Sequence, residues 1–516
     1  MRTCLGLLAV ISAAVVALTT VPGRAFASDA SVSVASPASG VVSIQGAATP
    51  VAAKLRLLVD GSAVKTCAAA ATCTFAWDTT KVADGNHTIA VRALDASNHE
   101  TALARVVIQV VNAAPAPAPA PAPTPTPTPV PTTGTYRTDS GVYQVPALTR
   151  PALGVPMTDP VFGSIVTRVT DPSMGSAEGF RHEYTRLAAL SADNTKAVVI
   201  QMTGWNYQVL DLATGRLQTI PGIPCGLDPS VTWHRTDPDL LIYFCDNEVR
   251  TYRVSTATVT TLAQLTEYTY VWTREEGTVS DDWRYAAVFG RRTTGAMEAA
   301  VVDLQTGVVI ARNAGIAFGD WIGISPSGQY VVIQHEDATG TRVYDRSLTY
   351  LRTLHADATH EDFAVDEDGQ DVIVYYAWSN AQTAPFGGRS VVAKARLADG
   401  ATTELIDTKW QWGGHVSGVG SRGHPGWVLA SDYRAPGDPQ IAPFQREVFW
   451  LKMDGSGQVK RIAHHHSDVA EGGSIGKDYW AEPHPVASWD GSLVLFASTW
   501  GDSFTRYDAY TVRIQW

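Results

Sequence analysis

From about residue 136 onward the chain repeats one pattern of apolar and polar positions. A short strand-like run ends in a polar turn. A strongly apolar strand follows, then a variable loop, then a third strand with a polar tail. The turns are Ser191-Ala192-Asp193-Asn194, His234 to Asp239, Ser280-Asp281-Asp282, Ser325-Pro326-Ser327-Gly328, Asp366-Glu367-Asp368-Gly369, Ser421-Arg422-Gly423 and Ser488-Trp489-Asp490-Gly491. Four short strands in roughly 40–50 residues make the blade of a β-propeller. Seven such units predict an all-β, seven-bladed propeller over residues 134–516. The last unit ends after its third strand, while residues 164–170 (Ser-Ile-Val-Thr-Arg-Val-Thr) have no unit of their own. Lent to the last blade, that segment would close the ring and remove an open edge. An eighth blade would need four strands within 136–170, which is too rich in proline for them.

Residues 28–112 show a different pattern. Short alternating runs at Val41–Ile44, Leu55–Val59, Thr74–Trp77, His87–Val91 and Val106–Val110 are divided by the turn signals Asp60-Gly61 and Asp84-Gly85-Asn86. The spacing predicts a small β-sandwich with His87 and His99 on its surface. Leu57–Gly61, Phe75–Thr79, Gly85–Ile89 and Arg92–Asp95 resemble bacterial immunoglobulin-like domains, a likeness that implies fold and not chemistry. Between the two parts, residues 113–133 pass from an Ala-Pro to a Thr-Pro run. Proline fixes φ and donates no backbone hydrogen bond, so this linker is expected to be an extended spacer reaching up to ~60 Å.

Composition narrows the setting. Residues 1–27 carry Arg2, an apolar run from Leu5 to Leu18 and Ala25-Phe26-Ala27, the form of a cleaved export signal. No later stretch approaches a membrane span, so a secreted, monomeric, non-integral protein is expected. The formal net charge of −11 argues against nucleic acid and anionic membranes as partners. Beyond the signal four cysteines remain. An oxidising compartment pairs them locally as Cys67–Cys73 and Cys225–Cys245, each within one strand–turn–strand unit; the alternative is four free thiols.

The candidate chemistry lies where blades begin. Eight of the histidines fall at or just before an innermost strand: His182, His355, His360, His415, His464, His465, His466 and His484. Ring closure should turn several of them toward one mouth of the central channel, a convergence of titratable groups that suits catalysis or ligand binding. Loops on the same face carry Trp205, Trp378, Trp412 and Trp500, with Arg291 and Tyr433-Arg434. Aromatic faces stack on sugar rings and arginine pairs with a carboxylate, so a polysaccharide or oligosaccharide is the expected partner.

Glu482-Pro483-His484-Pro485, followed by Ser488-Trp489-Asp490-Gly491 and Leu493–Ser498, resembles the final blade of oligogalacturonate lyases and related propeller polysaccharide lyases, including ulvan lyases. Gly414-His415 and Arg181-His182-Glu183-Tyr184 sit where such families place histidines. The resemblance implies β-elimination on a uronate, with His182 or His415 as base, Tyr433 as acid and Arg434 or Arg291 neutralising the carboxylate. It also implies one divalent metal ion, held in that family by a glutamine and a His-x-His group. Here the corresponding feature reads Glu482-x-His484 or His484-x-Val486, leaving His415, Glu482 and His484 as the candidate ligands. Trp205, His360, Trp378, Trp412 and Trp500 are the candidate sugar contacts. The competing reading is a non-catalytic propeller that binds glycans or envelope proteins.

Overall fold

A computed structural model describes residues 29–112 and 136–516, apart from 35, 97, 99, 226–228, 275–276, 317, 336–339, 356–357, 378–385, 410–412, 434–439, 468–477 and 502–505. The export signal and the linker expected at 1–27 and 113–133 lie outside the described residues. The chain divides into two compact units, with the break inside the proline-rich segment.

In the first unit, runs expected as separate strands are merged. Val41–Ile44 and Leu55–Val59 belong to one strand, Val41–Val59, and Thr74–Trp77 belongs to its partner, Ser62–Asp78. The two form a long hairpin whose tip, Asp60-Gly61, has positive φ at both residues (49° and 77°), as a tight hairpin turn requires. The register slips between Ala47 and Ala52. Before the slip the first strand also pairs with Asp29–Ser33, and after it with Gly85–Leu94. One hairpin thus serves both ends of a single core that includes Ile44, Leu55, Leu57, Phe75, Ile89, Val91 and Ile108. Cys67 and Cys73 are disulfide-bonded with Cα atoms 6.5 Å apart, far less than the roughly 20 Å that six residues of extended chain would span, so Ser62–Asp78 folds back between them at the register slip.

His87 also departs from expectation, being buried. Its Nδ1 lies 2.6 Å from Asp60 Oδ2 and its Nε2 lies 2.8 Å from the Ala83 carbonyl oxygen. Acceptors at both ring nitrogens favour the imidazolium, and the Asp60 hydrogen bond raises its pKa above the usual histidine value.

The second unit is of β-propeller type. Its described residues form six four-stranded antiparallel sheets in chain order and one five-stranded sheet. The second strand of each sheet is covered on both faces by its neighbours, which is why it reads as a continuous apolar run; Asp371–Ala377 and Leu493–Ser498 are buried throughout. Successive sheets pack face to face, as Val372 and Val374 do on Val428 and Ala430. The last sheet returns to the first, with Leu493 and Leu495 against Ala197 and Val199.

Closure comes from the expected segment. Ile165–Arg168 pairs antiparallel with Asp508–Arg513, placing Val166 opposite Val512 and Arg168 opposite Tyr510. A further short strand, Pro156–Thr158, lies outside it; proline is tolerated there because an edge strand leaves one side unpaired.

The recurrent Ser-x-Asp turns have a local cause. Ser191, Ser280 and Ser488 each donate to the aspartate two residues on, at 2.7, 2.6 and 2.7 Å. Each hydroxyl also accepts the backbone N–H five residues on, at 3.0, 2.9 and 3.0 Å. These turns join first to second strands, so antiparallel topology puts them on the face opposite the loops that begin each sheet. Cys225 and Cys245 are bonded, with Cα atoms 5.2 Å apart. Among the described residues no helix is long and apolar enough to cross a membrane.

Candidate functional site

Four of the histidines singled out above converge at the starts of three sheets that are neighbours in the ring, together with the first. His182 directly follows the innermost strand Phe180–Arg181, and His415 lies within Gly414–Ser417. His360 lies in Ala358–Val365 at a slip in register between Thr359 and Asp362, with φ of 48°. His484 precedes Val486–Ala487 with φ of 38°. Left-handed backbone at a non-glycine residue costs about 1–3 kcal/mol and is concentrated at functional sites. Packing here leaves no slack: a Cβ on Gly414 would lie 1.5 Å from the Ser431 carbonyl oxygen.

The rings form one cluster. His360 stacks on His415 with centroids 4.4 Å apart, and His415 meets His484 edge to face at 4.2 Å. Tyr433 lies 5.2 Å from His415 and 5.7 Å from His360. Tyr184 packs on both His415 and His484, at 5.3 and 4.8 Å. Glu482 Oε2 sits 3.3 Å from His415 Nε2 and 3.1 Å from His484 Nε2. His415, Glu482 and His484 form a group that could hold a metal ion, with one atom from each lying within 4.8 Å of the others.

Hydrogen bonds pin several of these groups. His360 Nδ1 lies 2.8 Å from the Gly414 carbonyl oxygen, and His182 Nε2 is bonded to the His484 carbonyl. Arg181 is fully buried and donates to His484 Nδ1 at 2.5 Å. At the other end of the ring interior, Arg422 reaches across to Asp281 at 3.3 Å, joining the sixth sheet to the third.

Burial dominates the electrostatics. It lowers the pKa of His182 to about 3, helped by the Arg181 charge, and that of His360 to about 4. His415 and His484 are also held well below the usual imidazole value by burial first, then by His360 and Arg186 at His415 and by His415 and Arg181 at His484. All four imidazoles are therefore neutral at pH 7. Burial pushes the Tyr433 phenol up, and it stays protonated. Glu361 and Asp362, beside His360, are raised by burial to about 7 each, against the pull of Thr341 on Glu361 and of the Gly418 N–H on Asp362.

Of the expected site residues, His182, His360, His415, His484, Tyr433 and Glu482 are brought together. Arg291 is not; it is the penultimate residue of Tyr285–Arg292 in the third sheet, opposite Met297 and Tyr270. Trp205 is half-buried on the loop between Lys196–Gln201 and Asn206–Asp211. Trp500 packs in the core of the closing sheet, stacked on His466 at 4.1 Å and on Tyr510 at 4.9 Å. Arg434, Trp378 and Trp412 lie outside the described residues. The His464-His465-His466 run is separate; His464 is buried 3.5 Å from Asp159.

Sequence reasoning missed Arg181, Arg186 and Tyr479, whose ring meets His484 edge to face at 4.8 Å. Arg186 lies over the Trp321 ring at 4.4 Å and the Tyr184 ring at 5.3 Å, and its charge acts on His360, His415, Glu361 and Asp362. No periodic signal marked Arg186: it sits in a turn in which the Leu187 N–H donates to the Tyr184 carbonyl at 3.2 Å, so only the tertiary structure brings it to the cluster.

No family model matches the chain, and no curated protein matches it in sequence. Among solved structures it is similar to an oligogalacturonate lyase from Vibrio parahaemolyticus, with 16% identity and a TM-score of 0.51 over 70% of this chain and 96% of that one. It is also similar to hydrazine synthase from Kuenenia stuttgartiensis (13% identity, TM-score 0.40, 64% of this chain and 96% of that one). A third is TolB from Acinetobacter baumannii (14% identity, TM-score 0.30, 53% and 62%). At 16% identity the likeness to the lyase speaks for the fold alone.

Proposed function

We propose that this chain is an exported polysaccharide lyase that cleaves uronate-containing glycans as a monomer. Its seven sheets would be the blades of a seven-bladed propeller, preceded by an immunoglobulin-like sandwich on a proline-rich linker. The observation that carries the reading is the convergence of neutral His415 and protonated Tyr433, 5.2 Å apart, beside the buried cation Arg186.

In β-elimination a base removes the C5 proton, the electron pair forms the C4–C5 double bond, and the C4–O4 bond breaks as O4 takes a proton. The C5 proton becomes acidic only when the adjacent carboxylate charge is neutralised. His415 is assigned as base, because its imidazole is unprotonated across the neutral range. His182 is committed to the His484 carbonyl and is set aside. Tyr433 is the acid, since burial keeps its proton available. Arg186 neutralises the carboxylate, with Arg434 the alternative because it follows Tyr433 in the chain.

A metal would supply the same neutralisation. His415 Nε2, Glu482 Oε2 and His484 Nε2 are close enough to hold one. The donor chemistry does not fit, however: Arg181 donates to His484 Nδ1, so the proton of the neutral ring sits on Nε2, where a ligand nitrogen must be bare. No step is therefore routed through a metal.

One observation favours the non-catalytic reading: His182, His415 and His484 are fully buried, and a cavity of about 670 Å³ lies elsewhere, lined by Thr251, Arg253 and Trp283 among others. Incubating the full chain with pectin, alginate, ulvan and glycosaminoglycans, while following ultraviolet absorbance of the unsaturated product, decides between the two. Absorbance that rises on one polymer supports the lyase. Retention on a polymer without any product supports the binder.

A further inference from the structure

Arg181 spends every arm of its guanidinium inside the protein. Nε donates to the His182 carbonyl at 2.8 Å, and Nη1 donates to the Trp480 carbonyl and to the Glu482 carbonyl. Nη2 donates to the Glu183 carbonyl at 3.3 Å and to His484 Nδ1 at 2.5 Å. Burial lowers its pKa only to about 10, so it is a cation at neutral pH.

A guanidinium offers donors and no acceptor. His484 Nδ1 must therefore present a lone pair to it. A neutral imidazole then carries its one proton on Nε2, and Glu482 Oε2, 3.1 Å away, is placed to accept it. Histidines that ligate metals have the opposite arrangement: a bare nitrogen toward the ion, and the other N–H donated to a carboxylate, carbonyl or water. The Glu482 carboxylate, the acidic member of the triad, also already has a buried cation in its field.

We propose that Arg181 is a tautomer lock. It holds His484 as the Nε2–H form, hydrogen-bonded to Glu482 with His415 beside the pair, and so closes to divalent cations a site whose spacing would otherwise accept one. Arg181 is here a positioning residue, acting through His484. The inference concerns cation binding and stands or falls apart from lyase activity.

The test is calorimetric titration of the full chain, freed of metal by chelation and dialysis, with Mn²⁺ and separately with Zn²⁺. Wild type should show no ion whose binding depends on His484. Arg181→Met should gain one such ion where wild type binds none, and the gain should vanish in the double variant with His484→Ala. Wild-type binding of one ion that is lost in Glu482→Gln or His484→Ala overturns the proposal, as does a folded Arg181→Met that gains nothing. If Arg181→Met does not fold, nitrogen-15 histidine spectra of wild type still decide, with the His484 signal assigned by its absence in His484→Gln. The Nε2–H pattern is expected, and the Nδ1–H pattern overturns the proposal.

Discussion

His415 and His484 meet edge to face, ring centroids 4.2 Å apart and planes at 88°, although they belong to different sheets. Glu482 bridges them. If His415 is the base, His415→Ala should lower turnover on the active polymer by about 10²-fold or more, the usual contribution of general base catalysis. Retention on that polymer in affinity electrophoresis should change little. Unchanged turnover would remove His415 from the chemistry.

The ring seam can be tested at Asp508. This buried carboxylate lies 3.4 Å from Arg168 of the closing strand and 2.8 Å from Arg506, with Arg150 at 3.7 Å. Removing one member of a buried ion network typically costs about 3–5 kcal/mol. Asp508→Ala should therefore lower the melting temperature of the propeller markedly. Asp508→Asn should lower it less, because burial already raises the pKa of this acid against the pull of Arg506.

His87 makes the N-terminal unit sensitive to pH. Its pKa is raised in the folded state by the Asp60 hydrogen bond, so it contributes stability in full below the ordinary value of 6.5. That contribution is lost as pH rises through the raised folded value. The stability gap between wild type and His87→Gln, read by hydrogen exchange in Gly85–Leu94, should be widest in mild acid and close toward alkaline pH. A gap that widens with pH would contradict the assignment.

Glu361 acts in the other direction. Burial raises it from 4.5 to about 7, so ionisation costs the folded state stability as pH rises between those values. Glu361→Gln, which mimics the protonated acid, should be insensitive to that change. Its melting temperature relative to wild type should climb from pH 4.5 to 7 and level off above. A difference that is flat with pH would mean that Glu361 titrates normally.

The repeat pattern made the blades legible because each second strand is sandwiched on both faces and must be apolar throughout, while Ser-x-Asp turns close on their own hydrogen bonds. The closing segment at 164–170 was legible because an unpaired edge demands a partner. The long hairpin of the first unit was not. Its register slip at Ala47 and Ala52 interrupts the alternation, so its two strands read as several short ones. The burial of Trp500 was not legible either: a tryptophan stacked on rings in a core has the same letter as an exposed one.

The amino-acid sequence alone determined the propeller architecture, the position of the ring seam, the two local disulfides and the set of histidines at the starts of the sheets. All of these follow from periodicity and from neighbours in the chain. Tertiary structure decided which groups share a field: that Glu482 lies between His415 and His484, that the charge of Arg186 acts on His415, and that Arg181 stands behind His484. Those contacts join sheets far apart in the chain, and both the protonation and the tautomer of a buried imidazole depend on such through-space partners, which no local pattern encodes.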